Sequence, residues 1–123
     1  MKRSQIPDEL RQLLPLTPAV FFVLFSLADR EKHGYAIMQD MAALSESKFR
    51  MGPGTLYSTL QRLLDLGLIV EVQGSRNAEA RESRRRNYRI TGNGRILLEN
   101  ELSRMDSLVR LARTRKLVPR TVG

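Results

Sequence analysis

The 123-residue chain has no cysteine, no tryptophan and one histidine, and only 6% of its residues are aromatic. Without cysteine there is no disulfide and no thiolate metal site. His33 alone cannot assemble a zinc site. No metal or cofactor is therefore expected. The longest apolar run, Ala19 to Leu27, is interrupted only by Ser26 and falls far short of the ~20 residues a helix needs to span a bilayer. Lys2 and Arg3 are soon followed by Asp8 and Glu9, so no signal peptide is readable. A soluble, cytoplasmic protein without a membrane partner is the expectation. Catalysis is not expected either. There is no glycine-rich nucleotide loop, and no pair of carboxylates shares a face. Scarce aromatics also argue against the stacking platforms that single-stranded RNA requires.

Apolar residues make up 41% of the chain, enough for a real core and too much for a disordered one. The length suits one domain. The net charge is +8 and the pI about 10.8, unevenly spread. Gly74 to Arg95 carries seven arginines and two glutamates, and Ser107 to the end carries five basic residues and no acid. Two basic zones on a near-neutral body form a footprint for a polyanion. Composition alone fits a charge that serves only solubility equally well.

Residues 1–15 are a polar lead-in with Leu10, Leu13 and Leu14 at helical spacing. They suit a short helix packed either on the body or on a partner subunit. Thr17-Pro18 reads as an N-cap followed by proline at the first helical position. The helix it opens runs to about Ala28, is apolar almost all round and belongs at the centre of the core. Asp29 to Gly34 reads as a charged turn. A second helix, about Tyr35 to Leu44, turns Ile37, Met38, Met41 and Leu44 to one face and leaves Gln39 and Asp40 outward. Phe49 and Met51 pin the polar loop that follows.

A third helix, Thr55 to Leu66, stops at Gly67. Leu56, Leu60 and Leu63 stack on one side, while Gly54, Thr55, Ser58, Gln61, Arg62 and Asp65 form a small, polar opposite face. Small residues there let the backbone approach DNA, where the helix N–H groups can meet a phosphate. A strand at Leu68 to Val72 follows, then a long arginine-rich loop and a second strand at Asn87 to Ile90. Arg84, Arg85 and Arg86 stand where the loop re-enters the strand, beside the candidate recognition helix, and suit phosphate or minor-groove contact. Helix, strand, basic hairpin, strand is the order of a winged helix-turn-helix. The expected fold is mainly α with a small two-stranded β-wing and a long C-terminal helix. That last helix, from Thr91 to about Lys116, places Leu98, Leu102, Met105, Val109 and Ala112 on an a/d seam. The seam either docks on a second copy of the chain, the favoured reading, or folds back on its own domain. The chain thus divides into a lead-in (1–15), a DNA-binding unit (16–90), a dimerisation helix (91–118) and a tail (119–123).

Three blocks resemble the PadR family of bacterial transcriptional regulators. They are Leu16-Thr17-Pro18 with His33-Gly34-Tyr35-Ala36-Ile37; Pro53-Gly54-Thr55-Leu56-Tyr57 with Leu60, Arg62-Leu63 and Gly67-Leu68-Ile69; and Arg86-Asn87-Tyr88-Arg89-Ile90-Thr91 with Gly94-Arg95. The resemblance implies a homodimeric winged-helix repressor. By motif position it assigns DNA contact to Tyr35, Gly54, Thr55, Tyr57, Ser58 and Arg62, with the wing at Arg84 to Arg86. The short tail is similar to the branch that dimerises through one C-terminal helix. The multidrug-responsive branch stacks ligands on tryptophan, which this chain lacks; whether it takes a small-molecule effector is left open. The expected function is a sequence-specific transcriptional regulator on a palindromic duplex operator. The alternative is a winged-helix adaptor or anti-repressor whose arginines bind an acidic protein.

Overall fold

A computed structural model describes residues 6–72 and 86–118; residues 1–5, Arg84 and Arg85, and the tail 119–123 lie outside the described residues. The elements run α1 (Asp8–Arg11), α2 (Pro18–Leu27), β1 (Lys32–His33), α3 (Gly34–Leu44), α4 (Pro53–Asp65), β2 (Ile69–Val72), β3 (Asn87–Ile90) and α5 (Gly92–Thr114).

α2 begins where Thr17 Oγ1 accepts the Val20 N–H at 3.3 Å, with Pro18 at the first helical position. Its residues Val23, Leu24 and Leu27 are fully buried, and the helix packs on α3, α4, α5 and β3. Phe22 stacks on Phe49 at 5.6 Å, which ties the α3–α4 link to the body. α4 buries Leu56, Leu60 and Leu63, the side its periodicity selects. It ends in a Schellman arrangement. Gly67 takes φ +75°, its N–H donates to Leu64, and the Leu68 N–H donates to Leu63. Glycine suits that left-handed position because it carries no Cβ.

The sheet has the order β1-β3-β2, antiparallel throughout. β2 and β3 pair as the sequence leads one to expect, with Ile69 opposite Ile90 and Glu71 opposite Tyr88. The third strand is a difference. Residues 32 and 33, expected within a charged turn, pair with Tyr88 and Asn87. The reason is Lys32, which is 7% exposed. Its amine donates to the Ser26 carbonyl and, at 2.6 Å, to Asp29, and lies 3.7 Å from Asp40. A buried cation is tolerated only when so paired. Asp40, expected to look outward, therefore turns inward and also accepts the Ser26 hydroxyl at 2.9 Å. The Lys32 hydrogen bond holds the Asp29 carboxyl below its ordinary range.

β3 passes into α5 through Thr91. Its hydroxyl donates to the Gly67 carbonyl at 2.7 Å and accepts the Gly94 N–H at 3.1 Å, while its own N–H donates to Leu68 at 3.0 Å. Gly94 lies against this joint. A Cβ there would stand 2.3 Å from the Leu68 carbonyl oxygen and 2.9 Å from Ile90. Arg95 donates to the Ala28 carbonyl at 2.8 Å and so caps the C-terminus of α2.

The lead-in packs on the chain's own body: Ile6 and Leu10 are buried, with Leu13 and Leu14 against the core. Glu101, 2% exposed, fastens this region to α5. Its Oε2 accepts the Leu16 N–H at 2.7 Å, and Arg104 donates to Oε1 at 2.8 Å. Arg104 holds the carboxyl below the ordinary 4.5, the Leu16 N–H adds to that, and burial opposes both.

Two outcomes follow. Gly94→Ala should cost about 1–3 kcal/mol in denaturant melts, because the new methyl meets backbone rather than a movable side chain. Glu101 is more acidic folded than unfolded. Its stabilisation is therefore present above 4.5 and lost as the pH falls through the depressed folded value. Thermal melts should show this acid-side decline in the wild type. In Glu101→Gln the decline should be shallower, from a midpoint already lower at neutral pH.

Candidate nucleic-acid interface

The polar face of α4 is open. Gly54, Thr55, Tyr57, Ser58, Gln61 and Arg62 are all exposed, opposite the buried leucines. No side chain caps the N-terminus at Gly52, and a Cβ at Gly52 or Gly54 would meet nothing within 4 Å. The first helical N–H groups thus face open space with little bulk around them, as an approaching phosphate requires.

The start of α3 lies against this face. His33 Nδ1 accepts the Ala36 N–H at 3.3 Å and so caps α3, a role its isolation in the sequence did not signal. Gly34 follows, and Tyr57 leans over it: a Cβ on Gly34 would stand 2.3 Å from the Tyr57 hydroxyl. Tyr35, next along, is 59% exposed. On the wing, Tyr88 is buried. Burial is the main cause raising the Tyr88 pKa, Glu71 and Tyr57 add to it, and Arg86 opposes. The three tyrosines of the chain stand one at the start of α3, one on α4 and one on β3.

Of the expected wing arginines, Arg86 is described; it is exposed, with Nε 3.4 Å from Glu71. Arg84 and Arg85 lie outside the described residues. Arg89, absent from the expected set, is exposed on β3. Strand alternation carries the signal for it, because Tyr88 and Ile90 point inward. Lys48 and Arg50 add two exposed cations just before α4. Arg62 stands to one side of the face, where with Leu13, Leu16, Thr17 and Val20 it lines a small hollow of about 30 Å³. Gln61 donates to Asp65 at 3.0 Å, so part of its hydrogen-bonding capacity is engaged within the helix.

The expected a/d seam of α5 is divided. Leu98 is only 3% exposed and belongs to the chain's own core, and Leu102 packs against that core. Leu98 is therefore unavailable to a partner. Met105 and Ala112 are half-buried, and Val109 is exposed, with Leu108 and Leu111 beside it at 51% and 46%. The first half of the helix lies over α2, and the second half offers the same stripe without cover from the described residues. Among the described residues no group of His, Asp or Glu could hold a metal ion, and no helix is long and apolar enough to cross a membrane.

The description "transcriptional regulator PadR-like family" belongs to the family model that matches residues 23–100. A transcriptional regulator of Mycobacterium tuberculosis is 39% identical over 88 residues, covering 72% of this chain and 76% of that protein. A PadR family transcription regulator from Clostridium difficile superposes with a TM-score of 0.65 at 20% identity, over 80% of this chain and 97% of that one. A PadR-like regulator from Bacillus cereus gives 0.63 at 16% identity, over 92% and 100%. These two likenesses show a shared fold. The family match runs from the middle of α2 into the first half of α5, including the whole of the α3–α4–wing surface, and the chain belongs to the PadR-like family of transcriptional regulators.

Proposed function

We infer that this chain is a sequence-specific DNA-binding repressor that sits on a palindromic operator as a homodimer. The observation that carries the reading is the continuous surface built by α4, the start of α3 and the wing. α4 supplies a small, polar, exposed face and an uncapped N-terminus. Tyr35 and Tyr57 flank it, and Arg86 and Arg89 lie on the wing beyond. A helix of this kind fits the major groove, while flanking cations and hydroxyls hold the phosphates. On this reading residues 16–90 form the DNA-binding unit, residues 91–118 the dimerisation helix, and the protein acts in the cytoplasm.

The dimer rests on the uncovered stripe of α5. Leu108 and Val109 are exposed on the half of the helix beyond the core, so glutamates there disturb a partner more than the protomer. Leu108→Glu with Val109→Glu should give a folded monomer in analytical ultracentrifugation. A folded variant that remains dimeric would place the interface elsewhere.

Wing, recognition helix and α3 should separate in salt titrations. Replacing Arg84, Arg85 and Arg86 by alanine should weaken binding to cognate and scrambled duplexes alike and lower the salt slope by roughly 1 per lost phosphate contact. Arg62→Ala should cost about 1–3 kcal/mol, mainly on the cognate sequence. Tyr35→Phe should act uniformly, like the wing changes, because its hydroxyl meets a phosphate. Wild-type protein with no preference among duplexes selected from its own upstream region would favour the adaptor reading instead.

A further inference from the structure

Among the described glycines, only Gly34 and Gly94 stand where a Cβ would meet another atom within 4 Å. At Gly94 the nearest atom is backbone, so its bareness serves the fold. At Gly34 the three nearest atoms all belong to the far end of Tyr57: the hydroxyl oxygen at 2.3 Å, Cζ at 2.8 Å and Cε1 at 3.1 Å. Gly34 is the first residue of α3, and its φ lies outside the left-handed region, so the backbone there suits any residue. Alanine is the better helix former of the two. What glycine provides at position 34 is therefore room for the Tyr57 ring.

That ring does not serve the core. Tyr57 is 47% exposed on the open face of α4 and is not among the side chains that pack the interior. A tyrosine on an open face ordinarily samples several rotamers. Seated against the bare backbone of Gly34, this one has its hydroxyl set beside the start of α3, where exposed Tyr35 follows. A side chain ordered before binding does not lose that freedom on the ligand. Resting on the DNA-binding reading above, we propose that Gly34 is a positioning residue for DNA: its missing side chain seats the Tyr57 ring so that the hydroxyl is already placed to donate to a backbone phosphate. Such a contact carries no sequence information. Being neutral, it adds affinity without releasing counterions.

The test compares Gly34→Ala, Tyr57→Ala and the double variant, in the full chain, by salt titration on a selected cognate duplex and its scrambled counterpart. The methyl of Gly34→Ala meets the end of a side chain that can swing into solvent, so the variant should stay folded in thermal melts. Its affinity should fall about three- to tenfold on both duplexes, the cost of ordering a freed side chain. Tyr57→Ala should lose about tenfold, as for a hydrogen bond to a charged group. Both should keep the wild-type salt slope, unlike the wing variants. In the Tyr57→Ala background, Gly34→Ala should change affinity less than about twofold. A Gly34→Ala protein that binds as the wild type does, that loses its fold, that shifts the salt slope, or whose loss persists without the Tyr57 ring overturns the proposal. Failure of the wild type to bind any duplex would instead remove the DNA-binding reading on which it rests.

Discussion

The end of α4, the wing and α5 meet in one hydrogen-bonded joint. The carbonyls of Gly67 and Leu68, just past α4, accept from the hydroxyl and N–H of Thr91, just past β3. The same hydroxyl accepts the Gly94 N–H and so starts α5. Gly94 has no side chain, and this lets α5 press against the Leu68 backbone. The recognition helix, the wing and the long C-terminal helix are therefore positioned by one set of backbone groups. Satisfying them in one place fixes the angle between the exposed face of α4 and the α5 stripe.

A second constraint acts at the opposite end of α4. Tyr57 can lie across the start of α3 only because residue 34 is glycine, and the ring so ties α4 to α3. Beneath, Lys32 pins β1 to the sheet through Ser26, Asp29 and Asp40. Exposed Tyr35 follows directly on this pinned strand and cap. The surface residues stand on a support whose buried polar groups are paired; among the described residues no buried side-chain nitrogen or oxygen lacks a partner. Such support is what places a phosphate contact in a fixed register.

α5 does two jobs along one stripe. Its first half closes the protomer's core through Leu97 and Leu98 and is tied by Glu101 to the link before α2. Its second half, from Met105 onward, leaves that core behind. The division explains why a charged residue is buried on the stripe: Glu101 faces the Leu16 amide, which has no helical partner, and Arg104 balances its charge.

The elements with local signals were legible in the sequence. Thr17-Pro18 sets the start of α2, Leu56, Leu60 and Leu63 set the inner face of α4, Gly67 sets its end, and Asn87 to Ile90 are β3. Each depends on residues within a few positions, so spacing and capping chemistry suffice. The exposed face of α4 was legible for the same reason, as the complement of its leucines. What spacing cannot supply is the identity of the surface across from a side chain. Periodicity put Leu98 on a stripe; only packing on α2 decided that the stripe's first half faces its own core. β1 is two residues long, too short for any period, and exists because β3 lies beside it and Lys32 finds two carboxylates below. Asp40 turned inward for that same lysine, and Glu101 was buried for an amide 85 positions away. Local order follows from neighbours along the chain; the partners of buried charges, and the cover over each apolar stripe, follow from distant segments brought together by the fold.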